Sequence, residues 1–224
     1  MEITSDLFQV YLKCSMKCWL RAAGEVSAGN TYAEWVKTQD ESYRVAETAR
    51  FVGESSNSEV LISPEPKTLK SANWQIATNV ALKSQMNSCF VESCLHAVER
   101  MPSDGRGNPA RLIPIRFIFR NKLTKDDKLL LSFDAFVLSE ALGREISLGK
   151  IIHGDGHACL RVKAPPLAGE VRKLLKNVAT LLSSPTPPDP VLNRHCVECE
   201  FRDRCREKAL KTDDLSLLAG MFAA

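Results

Sequence analysis

A chain of 224 residues is long enough for one substantial hydrophobic core. Hydrophobic residues make up 44% and charged residues 25%, and no run approaches the roughly 18 apolar residues of a spanning helix, so a soluble globular chain without a membrane segment is expected. The net charge of +3 is small but unevenly spread: residues 100–130 hold eight basic and three acidic side chains, residues 161–211 hold eleven and six, and the remaining stretches are net acidic.

The opening MEITSDLFQV has no basic start followed by an apolar stretch, so a reducing, cytoplasmic setting is expected. Eight cysteines there suggest metal or cluster ligation rather than disulfides. Ser5 and Asp6 precede Leu7, Val10, Tyr11, Cys14 and Cys18 at three- and four-residue steps. This predicts one amphipathic helix over 5–23, stopped by Gly24, with Cys14 and Cys18 on one face. A second helix is predicted over 31–54, ending at Gly53. From Glu59 to Arg100 the texture turns to β, MPSDGRGNPA (101–110) reads as a loop, and RLIPIRFIF (111–119) reads as a strand buried on both sides.

Thr124, Asp126 and Asp127 open a helix, KLLLSFDAFVLSEALG, that stops at Gly143; ISLGKIIHG and ACLRVKA are short strands. Residues 167–182 form an amphipathic helix through Leu167, Val171, Leu174, Leu175, Val178 and Leu182. SSPTPPDP (183–190) is a stiff connector to a basic cysteine segment. The order of helices and strands predicts a mixed α/β fold.

HCVECEFRDRC contains Cys196, Cys199 and Cys205 in a C-x2-C-x5-C pattern, in which short turns bring three thiolates toward one centre. A fourth ligand must come from elsewhere, and Cys14 or Cys18 is the available donor. Cys89, Cys94 and Cys159 lie in apolar strand contexts and read as small core residues. Spacing alone leaves two metals open: a four-thiolate zinc site of Cys14, Cys18, Cys196 and Cys199, or an iron–sulfur cluster that uses Cys205.

ITSDLFQVYLKCSMKCWLR at one end and HCVECEFRDRC followed by KTDDLSLLAGM at the other resemble the bracketing segments of RecB-like nucleases. These include the CRISPR-associated exonucleases, which are iron–sulfur members of the PD-(D/E)XK superfamily. The resemblance spans the chain. It implies a restriction-endonuclease-like α/β core with a mixed sheet flanked by helices over 1–182, the connector 183–190, and a cluster segment 191–211 packed on the first helix. Residues 212–224 would begin a linker to a further domain. It also implies that Cys14, Cys196, Cys199 and Cys205 hold a [4Fe–4S] cluster, with Cys18 a spare residue on the same helix face.

In that superfamily two acidic residues and a lysine on neighbouring strands bind Mg²⁺ or Mn²⁺ and orient the attacking water, with a Gln-x-x-x-Tyr helix after them. Aligned on the resemblance, the first acidic position falls at His96, between Glu92 and Glu99. The acidic-x-Lys strand falls at Arg116 and Ile118, and the Gln-x-x-x-Tyr pair at Leu129 and Phe133. The early helix offers Glu41 or Glu47. An alternative register takes Asp134 as the first carboxylate and 145–150 as a stretched acidic-x-Lys ending in Lys150. Arginine and isoleucine cannot ligate a hard cation, so the catalytic residues are unassigned and the metal is expected only where the site is intact.

Loss of hydrolysis need not remove DNA contact. The basic block Arg100, Arg106, Arg111, Arg116, Arg120, Lys122, Lys125 and Lys128 reads either as a phosphate track or as a solvated charged face; Arg100, Arg116, Arg120 and Lys122 are the candidate contacts. His153 and His157 near Asp155 read as a polar turn, with a second metal site as the rival. There is no G-x-S-x-G, Walker or dinucleotide motif. The expectation is a DNA-binding iron–sulfur domain with a degenerate phosphodiesterase centre, acting on single strands or ends and joined to or working with a nuclease or helicase domain. Its rivals are an active Mg²⁺- or Mn²⁺-dependent exonuclease and a zinc-stabilised interaction module.

Overall fold

A computed structural model of the chain describes residues 1–54, 60–71, 73–86, 89–102 and 110–218. Strand β1 (Glu2–Thr4) leads into helix α1 (Ser5–Lys13), where the Thr4 hydroxyl accepts the Leu7 N–H at 3.2 Å. The helix predicted over 5–23 is two. At Cys14 the backbone is extended (φ −165°, ψ 119°), so this residue ends α1 and opens α2 (Ser15–Ala22). Its sulfur takes the role of a capping oxygen and accepts the Lys17 N–H at 3.4 Å. Helix α3 (Thr31–Gly53) starts from Asn30, whose side chain accepts the Ala33 N–H.

Strands β2 (Val60–Ile62), β3 (Ile76–Met86), β4 (Cys89–Met101) and β5 (Arg111–Ile118) follow. Helix α4 (Lys125–Leu142) opens with a reciprocal cap between Thr124 and Asp127 and stops at Gly143, which adopts a left-handed φ of 68°. Then come β6 (Leu148–His153), β7 (Ala158–Lys163), α5 (Pro165–Ser183), a 3-10 turn at Arg194–Glu198, and α6 (Arg202–Thr212). Among the described residues no helix is long and apolar enough to cross a membrane.

The result is an α/β fold around a mixed seven-stranded sheet of order β2-β3-β4-β5-β6-β7. Strands β3, β4 and β5 form an antiparallel meander, and α4 then returns the chain so that β6 runs parallel to β5. Strand β3 occupies one edge of β4. The other edge is shared, since β1 pairs in parallel with Phe90–Glu92 and β5 pairs with the second half of β4.

Helices α1, α4 and α5 cover one face, where the Phe8 and Phe133 rings stack at 4.6 Å among Val91, Leu95, Val137 and Leu175. Helix α3 covers the other face more sparsely, laying Tyr43 and Phe51 over Ala97, Ile115, Phe117 and Ile152. Because side chains alternate along a strand, neighbours in β5 and β6 serve opposite layers.

Two cysteine expectations need correction. Cys89 is buried, but Cys94 and Cys159 are exposed: Cys94 lies on the thinly covered side of β4, and Cys159 sits on the edge strand β7. Cys18 does not share a face with Cys14. The helix break turns Cys18 into the main core, where its thiol donates to the Leu7 carbonyl at 3.5 Å and burial pushes it up to about 12. The stretch 212–224, expected as a linker, folds back as far as it is described. A 3-10 turn at Leu215–Leu217 brings the Ser216 hydroxyl to accept the Leu192 N–H at 3.1 Å.

Gly149 sits where β6 meets α4. A β-carbon there would lie 2.8 to 3.1 Å from three atoms of the Leu131 side chain, itself buried. Gly149→Ala should therefore cost about 1–3 kcal/mol through overpacking, measured as a lowered midpoint in urea unfolding with an unchanged slope.

Candidate metal centre

The break at Cys14 has a local cause and a long-range effect. In α2, Met16 and Leu20 turn away from the main core toward a second apolar cluster made with Cys199, Phe201 and Cys205, and Cys14, Trp19 and Leu192 pack at its margin. The opposing segment is shaped by Asn193. Its side chain accepts the His195 N–H at 2.8 Å, its own N–H donates to the Cys196 sulfur at 3.3 Å, and its amide donates to the Lys13 carbonyl at 3.2 Å. The residue thus caps the turn that carries Cys196 and fixes it to the end of α1. Cys199 follows in extended backbone.

Cys14, Cys199 and Cys205 thus pack in one cluster across the two ends of the chain, with Cys196 on the adjoining turn. The Cys205 thiol is pushed up to about 11, first by burial and then by the proximity of Cys199, Cys14 and Cys196. Cys199 is also raised by burial, against the opposing pull of the Phe201 N–H and Lys17. Backbone N–H groups reach two of the four sulfurs, those of Cys14 and Cys196. Among the described residues, no three Cys, His, Asp or Glu side chains stand ready to share a single metal ion.

Around the thiols the chain ends are clasped by charge. Lys13 pairs with Glu198, Lys17 and Arg21 both pair with Glu200, and Arg204 pairs with Glu25, at 2.7 to 2.9 Å. Asn30 adds hydrogen bonds to the carbonyls of Val197 and Cys199, so the first turn of α3 is held by the same segment. Each partly exposed pair contributes at most about 1 kcal/mol, and together they fix the register of the clasp. Cys196 borders an open cavity of about 260 Å³ that Arg202 and Arg206 also line.

The positions matched to a hydrolytic centre lie inside the domain. Arg116, expected among the phosphate-contacting cations, is buried at 7% exposure and turned toward α4. Its Nε and Nη2 donate to both oxygens of Asp134, which also accepts the Ser93 hydroxyl at 2.5 Å. Alternation along β5 dictates this, because Ile115 and Phe117 face α3 and Arg116 must face the other way. Ile118, Leu129 and Phe133 are buried apolar residues.

The alternative register fails on the same ground. Gly149 abuts Leu131 of α4, so Lys150 points to the opposite face from Asp134 and pairs there with Glu99. Glu92 neighbours Glu2, which pairs with Lys83, and Glu41 pairs with Arg44. Glu47 is 2% exposed and is held by Arg50 and by His157 Nδ1 at 2.7 Å. His157 belongs to a polar turn: Tyr43 donates to the Gly154 carbonyl and Asn121 to Asp155, and neither His153 nor Asp155 joins it in a metal group.

His96 Nδ1 accepts the Phe117 N–H at 3.0 Å, and burial, with Arg116 and Arg44 nearby, holds the imidazole well below its ordinary value. The remaining cations are nearer the surface. Arg120 pairs with Asp127, Lys125 with Glu170, Lys122 and Lys128 are exposed, and Arg100 is close enough to act on Arg144; Arg106 lies outside the described residues.

Sequence reasoning missed Asn193 and Asn30, whose signal was an asparagine just ahead of a cysteine turn and just ahead of a helix. No protein-family model matches the chain, and no curated protein matches it. Among solved structures, the crystal structure of SSO0001 is similar in fold, with a TM-score of 0.50 over 92% of this chain and 86% of that chain at 13% sequence identity. This likeness concerns the α/β architecture alone.

Two measurements check this geometry. Arg116→Leu leaves the Asp134 carboxylate buried without its partner and should cost about 3–5 kcal/mol of unfolding free energy, whereas Arg116→Met with Asp134→Leu should recover most of it. A neutral His96 is retained in the fold, while the unfolded chain takes up a proton below about pH 6.5. Stability should therefore fall as pH drops through that value, and the His96→Gln variant should show a shallower fall.

Proposed function

We propose that the chain is a DNA-binding domain of the RecB-like iron–sulfur type. A [4Fe–4S] cluster on Cys14, Cys196, Cys199 and Cys205 ties its ends together, and its own phosphodiesterase centre has been replaced by a buried ion pair. One observation carries the reading. Cys14, Cys199 and Cys205, from opposite ends of the sequence, pack in one apolar cluster with Cys196 close enough to act on Cys205, and backbone N–H groups already reach the sulfurs of Cys14 and Cys196. Such N–H groups stabilise thiolate over thiol and are the usual partners of cluster sulfurs. When bound, the cluster supplies a cross-link between residues that noncovalent contacts alone hold together.

The donor set fits a cluster better than one zinc. Thiolates around a single zinc lie about 3.8 Å apart, given Zn–S bonds of about 2.3 Å. In a four-iron cluster each thiolate binds a different iron, so the sulfurs stand farther apart. Cys18, a member of the zinc set Cys14, Cys18, Cys196 and Cys199, donates its proton into the core instead.

The degenerate centre follows from charge. Where the resemblance expects a metal-binding carboxylate, Arg116 places a guanidinium against Asp134, and a fixed cation there disfavours Mg²⁺. The carboxylates Glu41, Glu47, Glu92 and Glu99 are dispersed over other pairs. What remains is a cationic surface including Arg100, Arg120 and Lys122, suited to the phosphates of a single strand or a duplex end. The domain would then serve a nuclease or helicase partner in the cytoplasm.

Anaerobic purification should yield a brown protein with about four irons per chain. Cys205→Ser should lose most of the iron and the visible absorption. A colourless protein carrying one zinc, or unchanged iron in Cys205→Ser, would overturn the ligand assignment. With Mn²⁺ and single-stranded DNA no cleavage is expected; cleavage abolished by Asp134→Ala would restore the active-nuclease reading.

A further inference from the structure

The first turns of α3 carry two aromatic rings that the core does not use. Tyr32 is 50% exposed and Trp35 51% exposed, and the rings stack on each other with centroids 5.8 Å apart and planes 19° from parallel. Phe119, immediately after β5, meets Trp35 edge-on at 6.5 Å and 89°. A T-shaped contact of this kind restricts the indole without covering its face. Such rings cost free energy when left in water, and a helix otherwise rich in Glu, Arg and Ala has no local need for them.

The surroundings select the occupant. Phe119 lies at the carboxyl end of β5, next to the end of the parallel strand β6, and the chain continues directly into Arg120 and exposed Lys122. Arg120 also acts on Asp40 of α3, which places its charge beside the helix that bears the rings. Arg120 is shared with Asp127, so exposed Lys122 is the available cation beside the rings, and exposed, preset aromatic faces next to an ammonium match a single-stranded nucleic acid, whose bases stack while its phosphates are neutralised. A duplex hides its base faces and would gain little.

The platform is also anchored. Asn30, two residues before Tyr32, both caps α3 and donates to the carbonyls of Val197 and Cys199. The ring pair is thus fixed to the cysteine segment through one side chain.

We propose that Tyr32, Trp35 and Phe119, with Arg120 and Lys122, form a stacking site for single-stranded nucleic acid. The proposal rests on the DNA-binding reading above and assigns the strand a place on α3. The test is binding of fluorescent oligothymidylate to the purified chain, followed by anisotropy and by quenching of tryptophan emission. Tyr32→Ala and Trp35→Ala should each weaken binding about tenfold, the range expected for one lost stacking contact. Trp35→Phe should stay near wild type, and Lys122→Ala should lower the salt slope by about one. Binding of a duplex of equal length should be insensitive to the aromatic changes.

If the wild type binds oligothymidylate and the alanine variants bind equally well with no loss of quenching, the stacking site is overturned and the DNA-binding reading stands. If the wild type does not bind at low salt, that reading fails and the site with it. Alanine variants that change the oligomeric state in gel filtration while leaving DNA affinity intact would assign the rings to contact between copies of the chain, which also overturns the proposal.

Discussion

The pairing of Arg116 with Asp134 governs the architecture of this domain. It joins β5, in the middle of the sheet, to α4, the helix that packs on five of its strands. Neither group can be buried alone. A lone carboxylate or guanidinium in that environment would cost several kcal/mol, so helix and strand are committed to one relative position. Ser93 extends the link to β4, so three elements of the meander and its returning helix meet at one carboxylate. The same guanidinium puts a permanent positive charge where a hydrolytic metal would otherwise be sought.

The second organising feature lies at the edge. Helices α1 and α2 would be one rod were it not for Cys14, and an unbroken rod would carry the Cys14 sulfur round with the helix. The break instead places it against Cys199 and Cys205 and leaves Cys18 to the core. Alternating basic residues on α2 and acidic residues between the C-terminal cysteines supply the matching charges. The spacing of Lys17 and Arg21, one helical turn apart, lets both reach Glu200.

Much of the element order was legible in the sequence because its signals were strong and local. Helix α4 was marked by Thr124, Asp127 and Gly143, β5 by its continuous apolar run, and α5 by a three- and four-residue leucine and valine stripe. The break at Cys14 was not legible, since the apolar period runs through it unbroken and only a sulfur acting as a cap reveals the stop. The depth of Arg116 was equally hidden. An arginine in an apolar strand reads as a surface cation until the alternation of Ile115 and Phe117 against α3 assigns it to the opposite layer. Cys94 and Cys159 were misjudged because neighbouring apolar residues do not say whether a helix covers that side of the sheet. For the thiol site, three positions were visible as a spacing pattern, while the contributions of Asn193 and Asn30 depend on contacts between residues far apart in sequence.

The clasp also sets an order of events during synthesis. Cys14, Met16 and Leu20 leave the ribosome early, while the residues that cover them, from Asn193 to Cys205, are made near the end of the described chain. At typical elongation rates of about 5–20 residues per second, this apolar patch and its thiol wait many seconds for their counterpart. The nascent domain therefore passes through a stage with one finished layer and one raw edge. That edge is open on the nascent chain and closes once Asn193 to Cys205 are in place.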